Sequence, residues 1–263
     1  MSREFGKKSA IVSGQAFSGS PDSLETFLKR LRDRCQDHGG CHGLDRPGRI
    51  QVEAQQALAL ADELGIVRRP AFGWQEFLAT EQELWIGTEH LVELAVGEGR
   101  YRKTTAPPGF GLVPAVVEIP VVNLRGDPGL PSCRKAIEFV HASPVEYLER
   151  WEASNEIFQD DVRLVSVIEW KEGFISFGIS QPQYHGSPAE YRDIERCFLS
   201  AGWTRLKDPS GHAVFFNYAF GVMAIDAERR NCYLTDGELQ PFDVILCRPD
   251  EAMQAYLGIY PDS

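Results

Sequence analysis

The stretch "VMAIDAERRNCYLTDGELQPFDVIL", residues 222–246, carries three oxygen-bearing side chains at the spacing of a phosphoryl-transfer site. Asp226 and Asn231 are separated by four residues, and Asp243 follows after eleven more, inside an apolar run. In such sites one Asp orients the acceptor hydroxyl, while an Asn and a second Asp hold magnesium against the ATP phosphates. Magnesium prefers hard oxygen ligands of this kind. The stretch therefore predicts a catalytic Asp226 and a metal site made of Asn231 and Asp243.

Ordinary turns are the alternative interpretation of the same residues. Asp226 and Asn231 belong to the residue types that turns favour, and Asp236-Gly237 between two apolar runs is itself a hairpin signal. Asp243 is harder to explain in this way. Its apolar neighbours predict a buried strand, where a carboxylate is costly unless it finds a cation or several donors.

The stretch 85–105 predicts two strands around a turn at residues 97–99. The strands begin at a loop that contains Gly87, an expected nucleotide contact, and they end near Lys103, the candidate lysine for the nucleotide phosphates. His90 follows the same loop. We expect His90 to be an exposed turn histidine, with a phosphate contact as the alternative.

A helix is predicted over residues 143–158, because Ser143 is a good N-cap and Pro144 suits the first turn. This helix carries three glutamates that can brace Lys103. Glu152 is the first choice, and Glu149 and Glu156 are the alternatives. Two strands joined by a turn at residues 171–173 come next.

The second of these strands runs into Pro182, where a nucleotide-binding hinge is expected. Gln181 and Gln183 flank this proline and are predicted to contact the nucleotide. Along the chain the predicted order is therefore nucleotide loop, lysine strand, helix, two strands, hinge, helix and then the Asp–Asn–Asp set.

From about Trp85 to Cys247 the chain resembles the kinase-like domain of bacterial and phage polyvalent proteins. The blocks that carry the resemblance are "GTEH" (87–90), "RKTT" (102–105), "PVEYLERW" (144–151), "NEIFQDDVRL" (155–164), "ISQPQYHG" (179–186) and "FDVIL" (242–246). The resemblance implies a kinase-like fold, binding of ATP and Mg²⁺, and a capacity to phosphorylate a protein.

The expected fold is α+β, a reduced protein-kinase-like two-lobed fold with an N-terminal helical extension. The extension covers 1–78, the N-lobe 79–182 and the reduced C-lobe 183–263. Amphipathic helices are predicted at 20–35 and 49–65. The Pro-rich segment 106–142 is expected to add an edge strand to the small lobe.

Three departures from the kinase pattern keep two functions open. Ala224-Ile225 stands where kinases have His-Arg, Asp243-Val244-Ile245 stands for Asp-Phe-Gly, and Gly87 is the lone glycine in the tight part of the first loop. Few residues follow Asp243, which predicts a C-lobe without a full activation segment. The expected function is an ATP- and Mg²⁺-dependent phosphotransferase acting on a protein or small-molecule hydroxyl. The alternative is a weak or inactive pseudokinase that serves as a nucleotide-sensing interaction module.

Composition sets outer bounds on these functions. The chain has 263 residues, of which 43% are hydrophobic, so it can bury a sizeable core. A net charge of −11 argues against nucleic-acid binding, which needs clustered Lys and Arg. The sequence has no apolar run long enough for a membrane span and no secretory signal, so we expect a cytoplasmic protein with no membrane partner.

A zinc clip is conceivable at "CQDHGGCH", where Cys35, His38, Cys41 and His42 are zinc-capable side chains. Structural zinc sites usually take their ligands from two separated pairs. A solvated loop is therefore the alternative.

Overall fold

The computed structural model describes residues 23–37, 43–80, 85–95, 97–121 and 132–260. Within these ranges helices and sheets are mixed, which confirms the predicted α+β class. None of the helices in these ranges has the length and hydropathy to cross a membrane.

The chain divides into two compact units. The first contains the described residues up to Leu112 together with His141–Gln183, and the second contains Val113–Val140 together with the described residues from Tyr184 onward.

The helices of the described residues are α1 (Leu24–Asp37), α2 (Arg46–Glu63), α3 (Trp74–Thr80), α4 (Pro144–Phe158), α5 (Tyr191–Ser200) and α6 (Glu251–Leu257). The strands of the first unit are β1 (Val67–Arg68), β2 (Trp85–Ile86), β3 (His90–Ala95), β4 (Arg100–Thr105), β7 (Arg163–Glu169) and β8 (Ile175–Pro182). The remaining strands are β5 (Leu112–Val121), β6 (Ser132–His141), β9 (Ser187–Pro188), β10 (Thr204–Leu206), β11 (Val214–Asn217), β12 (Val222–Ile225), β13 (Cys232–Thr235), β14 (Glu238–Pro241) and β15 (Ile245–Cys247).

The first unit is built on a six-stranded sheet with the order β1-β7-β8-β4-β3-β2. Only the β1–β7 pair is parallel, and the other neighbours are antiparallel. Residues of β8 are buried almost throughout, as expected for a central strand. The ring of Phe177 on β8 meets Phe27 of α1, Phe110 and Tyr147 of α4, so this strand anchors the core.

Local signals determine where α4 begins. The Ser143 hydroxyl accepts from the backbone N–H of Glu146, and the Glu146 carboxylate accepts from the Ser143 N–H. This reciprocal capping box satisfies two amide donors that a helix start leaves unpaired. Pro144 occupies the first turn, as the sequence predicts, and Gln159 ends the helix in a left-handed conformation.

The second unit contains three smaller sheets. They have four strands (β10-β11-β12-β15), three strands (β14-β13-β9) and two strands (β5-β6). All residues of β11 and β12 are buried. The loop that begins at Asp226 therefore follows a strand of the core.

The segment 106–142 differs from its prediction. We expected an edge strand on the small lobe, but β5 and β6 pair with each other in a sheet of their own. Most of this hairpin groups with the second unit. Ile137 of β6 donates its backbone N–H to the Ser210 hydroxyl at 3.0 Å, a contact between positions far apart in sequence that local patterns do not encode.

Candidate functional site

Asp226 follows directly on the buried strand β12 and has a backbone φ of +60°. Few residues other than glycine adopt this left-handed conformation, although Asp and Asn do so more often than most. Its side chain is 18% exposed, so the carboxylate lies at the border of core and solvent. The rigid strand and the fixed backbone give this carboxylate a defined direction.

Asn231 closes the loop that Asp226 opens. Its Nδ2 donates to the backbone oxygen of Asp226 at 2.8 Å and to the Oδ2 of Asp226, also at 2.8 Å. Both partners are acceptors, which fixes the amide orientation: the nitrogen points to Asp226 and Oδ1 points away. Within the described residues Oδ1 of Asn231 accepts no hydrogen bond. The predicted Asp–Asn pair is therefore brought into direct contact.

The hairpin β13–β14 carries the chain from Asn231 towards Asp243. Its turn consists of Asp236 and Gly237 with φ values of 54° and 86°, as a type I′ turn requires, so the hairpin signal is confirmed. The N–H of Phe242 returns to the carbonyl oxygen of Asn231 at 2.9 Å. The residue before Asp243 is thus tied back to Asn231.

Asp243 corrects one expectation. The apolar run predicts a buried strand at this position, but Asp243 is half-buried and lies in a bend, because β15 begins only at Ile245. The buried residues are the three that follow Asp243. The carboxylate is therefore more accessible to solvent and ligands than the sequence pattern indicated.

Arg230 connects these carboxylates electrostatically. Its Nη2 donates to Oδ1 of Asp226 at 2.6 Å and lies 3.6 Å from a carboxylate oxygen of Glu228. Burial lowers the pKa of Arg230, but its acidic neighbours outweigh burial and raise that pKa above its ordinary value. These neighbours are Asp226, Glu228 and Asp243. The charge of Asp243 therefore acts on the same guanidinium that pairs with Asp226, and Arg230 is a residue that sequence reasoning missed.

Cys232 lies next to this cluster but is chemically inert. It is fully buried, and burial together with the charge of Asp226 and the nearby Cys197 raises the pKa of its thiol to about 12. A thiol in this state is neither a nucleophile nor a metal ligand at neutral pH. The chemistry available at this site comes from oxygen ligands.

In the first unit Lys103 lies on β4 between β3 and β8 and is only 5% exposed. Its Nζ lies 5.2 Å from the centroid of the Trp151 ring on α4, a cation–π distance. The predicted lysine therefore lies on a central strand and faces the helix that follows it.

Glu152 contacts a cation that the sequence did not indicate. Its carboxylate accepts from Arg32 of α1 at 3.0 Å, and Glu149 accepts from the same guanidinium at 2.9 Å. Glu152 therefore contacts Arg32, and Lys103 contacts Trp151. An ion pair between Lys103 and Glu152 stays a prediction. Beside Glu152 lies an acidic cavity of about 360 Å³, lined by Glu25, Glu152, Asn155 and Glu156.

The loop before β3 is tightly held. The N–H of Gly87 donates to the carbonyl oxygen of His90 at 2.8 Å, and Glu89 forms a 2.7 Å ion pair with the buried Arg150 of α4. His90 is 4% exposed and hydrogen-bonds the Tyr147 hydroxyl at 2.9 Å, so the expectation of an exposed turn histidine is wrong. This buried bond links the loop to α4.

The two hinge glutamines have different surroundings. Gln181 is buried, and its side-chain amide donates to the Asp160 carboxylate at 3.0 Å. The Gln181 side chain therefore lies in the interior of the first unit. Gln183 is half-buried and donates its backbone N–H to the carbonyl oxygen of Gly99 at 2.9 Å. A nucleotide contact by either side chain stays a prediction.

An apolar groove of about 380 Å³ in the first unit is lined by Ile50, Leu58 and Phe174, among others. None of the described residues that line it is charged, so it offers no cationic side chain to pair with a phosphate.

The zinc clip falls largely outside the described residues, which exclude His38, Cys41 and His42. Cys35 is buried at the end of α1. In the described part of the chain, no three His, Cys, Asp or Glu side chains group as a metal site. A site made of one amide and one carboxylate, such as Asn231 with Asp243, needs oxygens from a ligand to complete it.

Comparison of the chain with protein-family models, with curated protein sequences and with solved structures finds no match.

Proposed function

We propose that this protein is an ATP- and Mg²⁺-dependent phosphotransferase of kinase-like fold that acts on a hydroxyl group of a protein or small molecule. The observation that carries the proposal is the pair of 2.8 Å hydrogen bonds from Asn231 Nδ2 to Asp226. They join an acceptor-orienting carboxylate to an amide whose Oδ1 is left for a cation.

The donor set fits magnesium. Asn231 Oδ1 and the Asp243 carboxylate are hard oxygen ligands, and magnesium is usually bound by one or two protein ligands with substrate phosphates and water. Bound there, Mg²⁺ would neutralise charge on the nucleotide phosphates. Because the buried thiol of Cys232 stays protonated, the side-chain oxygens are the metal ligands that this cluster offers.

Asp226 has the reacting role in this proposal. Its carboxylate accepts the proton of the acceptor hydroxyl as the hydroxyl oxygen bonds to the γ-phosphorus of ATP. The bond from that phosphorus to the bridging oxygen breaks, and ADP leaves. Because little covalent chemistry is asked of the protein, positioning and charge neutralisation carry most of the catalysis.

The first unit supports the proposal through its order of elements. The loop with Gly87, the strand with Lys103, the helix α4 and the strands β7 and β8 come in the order expected from the resemblance to kinase-like domains, with the hairpin β5–β6 inserted between the lysine strand and α4. Lys103 is proposed to hold nucleotide phosphates. Its burial beside Trp151 gives it a fixed environment.

A nucleotide-sensing pseudokinase is the second candidate, and one observation favours it. Oδ1 of Asp226 is engaged by Arg230 at 2.6 Å, which occupies the carboxylate that would receive the acceptor proton. A glycine-rich loop of the G-x-G-x-x-G type is also missing from the sequence. Transfer of radiolabel from ATP to candidate proteins and small alcohols separates the two, because only the enzyme turns ATP over.

Nucleotide binding tests both candidates at once. Mg²⁺ with ATP at 100–1,000 times the dissociation constant should raise the free energy of unfolding by about 2.7–4.1 kcal/mol. Asp243→Asn should abolish this gain, since the amide is a poorer magnesium ligand than the carboxylate. Thermal unfolding with and without Mg²⁺ and ATP measures the effect.

Glu238→Gln is the matched control, because Glu238 is an exposed carboxylate on β14 of the same hairpin. It should keep the wild-type gain. The nucleotide proposal fails if the wild-type protein gains no stability at millimolar Mg²⁺ and ATP.

A further inference from the structure

We propose that Arg230 is a phosphate-binding residue of the Asp226–Asn231 loop and that it grips the terminal phosphate of ATP. The inference rests on the proposed function and deepens it, because neither the sequence pattern nor the resemblance assigns a role to this residue. It identifies a cation for the terminal phosphate next to the carboxylates of Asp226 and Glu228.

The guanidinium of Arg230 is built to receive an anion. Its side chain is 67% exposed, and its contacts within the described residues all come from Nη2, to Asp226 at 2.6 Å and to Glu228 at 3.6 Å. The Nε and Nη1 groups donate to no described residue. An Arg presents five N–H donors in a planar fork that matches two phosphate oxygens at once. Most of that fork therefore faces solvent.

The charge balance of the cluster requires such a cation. The guanidinium lies 2.6 Å from the Asp226 carboxylate and 3.6 Å from the Glu228 carboxylate, and the charge of Asp243 also acts on it. The neighbouring Arg229 pairs instead with Glu190. A polyphosphate that approached these carboxylates without Arg230 would meet mainly negative charge at this loop.

Binding of ATP to Arg230 would also release Asp226 from its ion pair with Arg230. When Arg230 moves from Asp226 to the terminal phosphate, it exchanges one anionic partner for another and leaves Oδ1 of Asp226 to the acceptor hydroxyl. The hydroxyl proton then passes to that carboxylate, the hydroxyl oxygen bonds to the γ-phosphorus, and ADP departs. The Arg230–Asp226 pair is thus the resting arrangement of a site that ATP itself activates.

The test compares affinities for ATP and ADP in the presence of Mg²⁺ by isothermal titration calorimetry. Arg230→Ala should weaken ATP binding about ten-fold to one hundred-fold, the range for a hydrogen bond to a charged group. ADP binding should stay within about two-fold, because the terminal phosphate of ATP is absent. Arg230→Gln, which keeps a donor for Asp226 but has no charge, should behave as Arg230→Ala does, and Arg230→Lys should recover part of the loss.

Arg229→Ala is the matched control, since Arg229 is 63% exposed in the same loop but pairs with Glu190. It should leave both affinities unchanged. Wild-type ATP affinity in both Arg230→Ala and Arg230→Gln overturns the inference, and so does an equal loss of ATP and ADP affinity, which would indicate a role in holding the loop only. If the wild-type protein binds neither nucleotide, the proposed function fails and takes this inference with it; if it binds both and the Arg230 variants match it, only the inference fails.

Discussion

Replacing Asp226 with Asn should lower the rate of phosphate transfer by about 10²–10⁴-fold, the usual cost of losing a general base. Asn tolerates the left-handed conformation of this position, with φ of +60°. Its amide nitrogen will face a donor of Asn231 or Arg230, so thermal unfolding of the variant is measured alongside its activity. The neutral amide cannot take up the hydroxyl proton. Because this contribution arises in the transition state, the rate of transfer should fall far more than the affinity for ATP changes. Radiolabel transfer gives the rate, and calorimetry gives the affinity.

Asp236→Asn is the control for this substitution. Asp236 is also an Asp with positive φ, at 54°, but it lies in the exposed turn of the β13–β14 hairpin. Its replacement should leave both rate and affinity at wild-type levels. Equal turnover by the wild-type protein and Asp226→Asn would mean that Asp226 is a turn residue without a catalytic role.

Asp208→Asn should destabilise the second unit by about 3 kcal/mol or more, since it disrupts a buried hydrogen-bond network around a charged group. The Asp208 side chain is fully buried and accepts from the backbone N–H and side chains of Ser210 and His212 and from the Tyr256 hydroxyl, over 2.6–2.9 Å. In Asp208→Asn the amide N–H₂ group would face the N–H and O–H groups that now donate to the carboxylate, so those hydrogen bonds would be lost. Urea unfolding measures the loss.

The pH dependence of stability should change with the same variant. Burial raises the pKa of the Asp208 carboxyl, but the donors of Ser210 and His212 outweigh burial and hold that pKa well below its usual range. The stabilisation is therefore complete above the ordinary Asp pKa of about 3.9 and is lost as the pH falls towards the folded-state value. Asp208→Asn should lose less stability than the wild-type protein when the pH is lowered from 5.

Asp236→Asn again serves as the control, because the exposed turn carboxylate lacks these donors. It should follow the wild-type pH profile. A wild-type slope in Asp208→Asn would show that other carboxylates control acid unfolding.

Local signals in the sequence were sufficient for most single elements. The capping residue Ser143 with Pro144 predicted α4, and Asp236-Gly237 predicted the β13–β14 hairpin. These signals act over a few residues, through a cap hydrogen bond or a positive φ, so no tertiary information is needed. The contact between Asp226 and Asn231 followed from the short loop that joins them.

Features set by distant contacts could not be predicted in this way. Glu152 contacts Arg32, which is 120 residues away in sequence. His90 is buried because Tyr147 of α4 covers it. The apolar neighbours of Asp243 mark the strand that begins after it, and periodicity alone could not separate Asp243 from that strand. Arg230 had a usable signal in its i to i+4 spacing from Asp226, the spacing at which they form an ion pair in the structure.

The most direct test is a titration with Mn²⁺ in place of Mg²⁺, followed by the electron paramagnetic resonance spectrum of the protein-bound ion and compared with a Mn²⁺–ATP solution without protein. The wild-type protein should take up Mn²⁺ tightly only when ATP is present, because Asn231 and Asp243 need phosphate oxygens to complete the site. Asp243→Asn should lose this uptake, and Glu238→Gln should keep it. Identical uptake of Mn²⁺ by the wild-type protein and Asp243→Asn in the presence of ATP would contradict the account.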